Sequence, residues 1–449
     1  MDRLEEFIRE HKVTEVECLV PDMSGIARGK IVPAEKLLRI LRERGMPIPE
    51  SVFVQTVTGD YLDEDNDIIN PSNGDVYITP DNDTVRLVPW YKEPTAQIIC
   101  DAYYADDTPV PFSSRYILRK ILAEYAKRGW KAVVAPELEF YLVNVNTDPD
   151  IPLMPPVGRS GRRESGRQAY GIDAVNEFDP IFEDVYDYCE AQNIDIDTLS
   201  HEAGAAQIEV NFNHGDPLEV ADQAFMFKRT AREVAIRHGV YATFMAQPMQ
   251  SEPGSAMHIH QSVVDVAAGR NLFSTEDGQD TKLFHHFVSG MQRYLPSALL
   301  LFAPNVNSFR RFGHKATDSP INVEWGQDNR TAGLRVPVSK PENRRVENRL
   351  PGADGNPYLS IAATLACGLL GMVEGIDPTE PIKGSAYKRS HTLPTHMYDA
   401  IKKLRSSKPL QELLGEQFCK ALIAVKETEF KAYNTVISSW ERENLLLNV

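Results

Sequence analysis

Glu137 and Glu139 stand two apart in the apolar run APELEFYL, residues 135–142. On a β-strand that spacing sends both carboxylates to one face and Leu138 and Phe140 to the other. Buried together, two like charges are costly unless something positive lies between them. On a surface strand the same pair carries no chemistry. His258 and His260 repeat the spacing in PGSAMHIHQS, and Arg345, Glu347 and Arg349 repeat it in RRVENRLP. A fourth stretch, HEAGAAQIEVN, sets Glu202 and Glu209 around four small residues. Seven apart on a straight strand they would face opposite ways, so a bend near Gly204 is required if both serve one site.

Carboxylates with a histidine on strand-like segments suit hard divalent cations, Mg²⁺ or Mn²⁺, held chiefly by oxygen. Zinc is disfavoured, because no cysteine set or triple-histidine set accompanies them. Arginines also concentrate in NSFRRF and NRTAGLRVP within a chain of net charge -16. Such a cluster suits a polyphosphate and the charge that develops during its transfer.

The elements that must position these residues fall into two textures. Up to about residue 105 short strands dominate. A first helix around Leu4 and Ile8 precedes a hairpin of Val13–Val20 and Ile26–Val32, then a helix over Pro33–Arg44. Val52–Thr58 reads as a strand, Asp75–Ile78 and Thr84–Val88 as a second hairpin, and Ile98–Tyr104 as the closing strand. From Ser113 helices recur at regular spacing, including one opened by Asp216-Pro217 and one opened by Asn356-Pro357. The polar, proline-rich stretch 106–111 divides the two parts. Residues 144–168 have no periodicity and form either a mobile excursion or a functional flap.

At 449 residues the chain is too long for one small core. Its composition, 42% hydrophobic and 25% charged, is that of a folded soluble protein. The acidic balance argues against nucleic acid and anionic membrane as partners. Five scattered cysteines indicate a reducing, cytoplasmic compartment, and the most apolar stretch, Tyr358–Met372, is interrupted and short of the about 18 continuous apolar residues of a membrane span.

In fixed order, PELEF, HEAGAAQIEV, PGSAMHIH, NSFRRF, NRTAGLRVP and RRVENRLPGADGNPYL resemble the signatures of the glutamine synthetase family. PDMSGIARGK and NGDVYITPDNDTVRLVPW extend the resemblance over the N-terminal part. It implies an α+β chain: an N-terminal β-grasp domain, 1–107, then a catalytic domain, 108–449, whose curved antiparallel sheet forms a half-barrel covered by helices. It implies an ATP-dependent ligase that phosphorylates the γ-carboxylate of L-glutamate and then couples it to an amine. Glu139, Glu202 and Glu209 would hold one Mg²⁺ or Mn²⁺, and Glu137, His258 and Glu347 a second, with two to three cations per site. Gly254 and Arg311 would bind glutamate; His260, Ser262 and Arg335 would bind ATP; Arg330 and Arg349 would act in phosphoryl transfer. The family assembles as two stacked rings, here expected as a homo-oligomer of twelve subunits with active sites between neighbours.

Three departures matter, the first two for the amine and the third for a glutamate contact. The DGSS-like tetrapeptide of ammonia users is replaced by QTVTGDY at 55–61, and the YEAPV flap by TDSPI at 317–321. Pro253 replaces the usual asparagine before the glycine of the histidine stretch. The NLYxLPP stretch of bacterial adenylylation is also missing. Activation is retained while the nucleophile's pocket differs, the pattern of the γ-glutamyl-amine branch, such as the γ-glutamylputrescine type. Asp318 becomes the candidate proton acceptor, and Phe53, Asp60, Tyr61 and Glu64 the candidate amine pocket. Glutamine synthesis from ammonia is the alternative, and a non-catalytic relative the remote one.

Overall fold

The first 110 residues build one sheet of six strands: β1 (Glu15–Pro21), β2 (Ala27–Pro33), β3 (Met46–Pro49), β4 (Asp75–Pro80), β5 (Arg86–Leu87) and β6 (Thr95–Tyr103). A computed structural model describes residues 2–43, 45–62, 67–70, 72–313 and 319–449. The sheet runs β2-β1-β6-β4-β3, with β1 and β6 parallel at its centre and β5 also on β6. The β1–β2 hairpin forms as its turn residues require: the buried Asp22 carboxylate accepts the Ser24 and Ile26 N–H groups, and Gly25 takes φ +76°.

Two expectations fail here. Val52–Thr58 is no strand; Glu50–Val54 is a 3₁₀ turn and 55–62 continues as loop. The strand lies just before it, in Met46–Pro49, where two prolines are tolerated because β3 is a sheet edge. Nor do β4 and β5 form a hairpin. Both pair with the long strand β6, because the 3₁₀ turn Asn82–Thr84, capped by Asp81, carries the chain along β6 instead of back onto β4.

The second sheet has nine strands: β7 (Trp130–Asn144), β8 (Ile196–His201), β9 (Gln207–Phe212), β10 (Val240–Thr243), β11 (Met257–Asp265), β12 (Arg270–Asn271), β13 (Trp325–Gln327), β14 (Leu334–Val336) and β15 (Val346–Asn348). The order is β13-β14-β15-β11-β7-β9-β8, antiparallel apart from the β13–β14 pair. Helices cover this curved sheet, and the α+β class stands as expected. Helix Pro217–Arg237 starts at the Asp216 cap and stops before Gly239, which takes φ +72°.

Helix Pro357–Glu374 has the length and apolarity to cross a membrane, but 83% of its apolar window is buried inside the protein. It is the core helix. Its Asn356 cap accepts the Tyr358 N–H and donates to the Asp22 carbonyl, joining it to the N-terminal hairpin. It meets helix Lys282–Phe302 backbone to backbone: a Cβ on Gly371 would lie 2.1 Å from the His286 carbonyl oxygen. The five cysteines are all buried thiols.

Candidate active site

Strand register places the chemistry. Glu137 lies opposite His258 across β7–β11, and Glu139 opposite Glu209 across β7–β9. His260 lies opposite Glu347 across β11–β15, and Glu347 opposite Arg335 across β14–β15. Directly opposed residues share a face. One face therefore carries a continuous row of four carboxylates, two imidazoles and a guanidinium drawn from five strands.

Ligand atoms of Glu137, Glu209 and His258 all lie within 4.8 Å of one another, as do those of Glu137, His260 and Glu347. His260, expected beside the nucleotide, thus comes into the second cluster. Its Nε2 is 2.9 Å from Glu137 Oε1, while its Nδ1 accepts from Arg345 Nε at 3.2 Å, which fixes the proton on Nε2. Glu347 is fully enclosed and receives Arg335 at 2.8 Å and Arg349 at 2.5 Å. Burial opposes its ionisation, but Arg349 and the two histidines bring it down to about 2. Burial also works against Glu137, and the contacts from His258 and His260 overcome it. Burial and the charge of Arg349 lower His258 to about 4, leaving a neutral imidazole.

On the other side of β7 the acids make no ion pair among the described residues, and the charges of Arg311 and Arg349 offset the burial of Glu139 only in part. Burial and Glu202 push Glu139 up to about 8, and burial with the surrounding carboxylates pushes Glu209 up to about 9. Glu202 is raised as well, first by burial. Among the described residues Glu139 accepts from neutral donors, the Ala256 N–H at 2.9 Å and Gln207 Nε2 at 3.2 Å. Asn211 Oδ1, on the strand beside Glu137, is buried with no hydrogen-bond partner among the described residues. An excess of buried acid oxygen with a neutral imidazole is the donor set of a hard divalent cation, and the residues fit that group.

Glu202 stands in the β8–β9 turn, close enough for its charge to act on Glu139, but it joins neither ligand cluster. The bend expected near Gly204 is present, and a Cβ there would fall 1.9 Å from the Tyr141 hydroxyl oxygen. Gly254 and Arg311 also meet: a Cβ on Gly254 would lie 2.5 Å from Arg311 Cγ. Arg311, in the 3₁₀ turn Ser308–Phe312, is buried, and its Nε has no partner among the described residues. Ser262 shares the face of the two histidines on β11. It lines a cavity of about 460 Å³ with Glu137, Asn211, His260 and Arg345. Arg330 sits exposed on the β13–β14 turn.

Of the residues expected to form the amine pocket, Phe53, Asp60 and Tyr61 are described, and none belongs to this row. Phe53 is enclosed in the hydrophobic core and offers no surface to a ligand. Asp60 is exposed and accepts from the Thr58 hydroxyl at 2.6 Å; Tyr61 is 56% exposed. Their loop rests on helix Glu416–Tyr433, where the Val57 N–H donates to Glu429 at 2.8 Å. Glu64 and Asp318 lie outside the described residues. Gln207, Asn211 and Arg345 were not singled out as site residues from sequence. Arg345 alone gave a signal, its place in the alternating charges of 345–349.

The model of the glutamine synthetase catalytic domain matches residues 111–445. The gamma-glutamylputrescine synthetase of Escherichia coli (strain K12) is 34% identical over 96% of this chain and 92% of that protein. A glutamate–isopropylamine ligase of a Pseudomonas species is 32% identical over 98% and 96%, and the glutamine synthetase of Pyrococcus woesei 30% identical over 94% and 91%. A solved structure of a GmaS/ADP complex superposes with a TM-score of 0.85 at 27% identity, covering 99% of this chain and all of the other. Apo GmaS gives a TM-score of 0.84 at 26% identity, each chain covered in full. Match and geometry agree over both halves of the chain: it belongs to the glutamine synthetase family, in the γ-glutamyl-amine ligase branch.

Proposed function

We propose that the protein joins L-glutamate to an organic primary amine at the expense of ATP, by way of γ-glutamyl phosphate. The row Glu209–Glu139/Glu137–His258/His260–Glu347–Arg335 supports this reading, because it gathers on one sheet face the carboxylates, imidazoles and guanidinium that would hold cations and phosphates. Relatives named for putrescine and isopropylamine support an organic amine as acceptor.

Glu139, Glu202 and Glu209 would hold one Mg²⁺ or Mn²⁺, and Glu137, His258 and Glu347 a second, with two to three per site. Such cations, when bound, supply positive charge to the phosphoryl oxygens in transfer. Arg311, with Gly254 clearing its approach, takes the α-carboxylate of glutamate through its free Nε. His260, Ser262 and Arg335 line the nucleotide side, and Arg330 and Arg349 face the transferred phosphoryl group. A primary amine is mostly protonated near neutral pH, so Asp318 in the flap accepts its proton. Asp60, Tyr61 and Glu64 form the amine pocket of a neighbouring subunit, with Phe53 holding their loop from beneath. Domains of 1–107 and 108–449, a cytoplasmic ring of twelve subunits and sites shared between neighbours complete the reading.

The test is kcat/KM for ammonium, putrescine, spermidine, ethanolamine and isopropylamine at saturating glutamate and ATP, following ADP and the γ-glutamyl amide together. An organic amine is expected to win. A tenfold advantage for ammonium, about 1.4 kcal/mol, would make the protein a glutamine synthetase instead.

A further inference from the structure

The aperiodic segment 144–168 delivers one side chain to the turn that carries Glu202. Four successive amides of that turn, 203–206, meet side-chain oxygens. Ala203 N–H donates to Glu202 Oε2 at 3.1 Å, Gly204 N–H to Gln207 Oε1 at 2.9 Å, Ala205 N–H to Glu252 Oε2 at 3.2 Å and Ala206 N–H to Glu164 Oε2 at 2.7 Å. Ala206 is held at φ +57°, the left-handed region that an alanine enters only when its surroundings impose it. The same Glu164 oxygen lies 3.0 Å from Nε2 of His201, which is fully buried. Nδ1 of that ring is 2.7 Å from the Glu202 carbonyl oxygen. Just beyond the segment, the Tyr170 N–H donates to the His201 carbonyl at 2.9 Å.

Glu164 therefore grips the chain on both sides of Glu202: through the imidazole at 201 and through the strained amide at 206. We propose that Glu164 is a positioning residue that fixes the Glu202 carboxylate for its cation; this rests on the reading of Glu202 as a cation ligand. The segment is then a clamp on the site rather than a free excursion. Residues that orient a ligand from behind typically change cation affinity by about 10–100-fold when removed.

The experiment titrates the metal-stripped full-length protein with Mn²⁺ alone, followed by electron paramagnetic resonance. Amide hydrogen exchange is read alongside at Ala205 and Ala206 and at β1. Glu164→Ala is expected to weaken one class of Mn²⁺ site at least tenfold and to speed exchange at 205–206 while leaving β1 unchanged. Glu164→Gln, which keeps an acceptor oxygen for both contacts, is expected to stay within threefold of the parent. Parent-like Mn²⁺ affinity in Glu164→Ala overturns the proposal. So does an equal loss in Glu164→Gln, or a rise in exchange that extends to β1. Glu202→Gln separates the two readings: if it binds Mn²⁺ as the parent does, the ligand assignment of Glu202 has failed and not the clamp.

Discussion

At the scale of single residues, the site is divided into an answered half and an unanswered one. Glu137 and Glu347 are met by imidazole and guanidinium, while burial and neighbouring carboxylates raise Glu139 and Glu209. A carboxyl whose folded value is raised binds more protons folded than unfolded, so stability declines as pH climbs from the ordinary carboxylate range toward about 8 and 9. Metal-stripped protein should therefore melt at a lower temperature at pH 8 than at pH 5.5, and Mn²⁺ should raise Tm more at pH 8. Scanning calorimetry at both pH values, with and without Mn²⁺, checks this. Gly254 supplies a second case. Its missing side chain leaves room for Arg311 Cγ and lies 2.8 Å, measured from where a Cβ would stand, from the Ala246 carbonyl oxygen. Gly254→Ala must displace the arginine, and the expected result is a KM for glutamate raised about tenfold or more with a smaller change in the KM for ATP.

Among the elements, the close contact of helices Lys282–Phe302 and Pro357–Glu374 depends on glycine at both faces. A Cβ on Gly290 would lie 2.3 Å from the Cys367 carbonyl oxygen and one on Gly371 2.4 Å from the Gly290 nitrogen. Intrinsic helix preference favours alanine over glycine by about 1 kcal/mol. Gly371→Ala should nevertheless lose about 1–3 kcal/mol, seen as a lower denaturant midpoint, because backbone cannot yield as a side chain can. These helices were legible in the sequence through Asn356-Pro357 and the apolar run after it; their glycine seam was not, since glycine in a helix does not say what approaches it. The spacing-two residues were legible for a simple reason: alternate residues on a strand must share a face. Which strands lie side by side is a long-range matter, so the opposition of Glu139 with Glu209 came only with the fold. Val52–Thr58 misled because a short apolar run packs as well in a buried 3₁₀ turn as in a strand. Gln207 and Asn211 escaped because amides are common everywhere.

Over the whole molecule, Arg115 ties the two sheets together. Fully buried, it donates to Asp222 from Nε and Nη2 at 3.0 and 2.8 Å, to Asp101 at 2.8 Å and to Asp81 at 2.7 Å; Tyr358 adds a hydroxyl to Asp222 at 2.6 Å. Asp101 belongs to the first sheet, Asp222 and Tyr358 to helices beneath the second. Removing one partner strands buried charge, so Arg115→Met should cost about 3–5 kcal/mol in equilibrium unfolding, and adding Asp222→Asn should recover part of it. The row on the second sheet has a consequence of another kind, in the order of synthesis. Glu137 emerges early, His258 and His260 much later, and Glu347 only after most of the chain has been made. The first sheet can close while translation continues. The centre cannot: until β15 is laid against β11, Glu137 and His260 lack their third member, and the ribosome carries a protein with its N-terminal sheet folded and its chemistry unassembled.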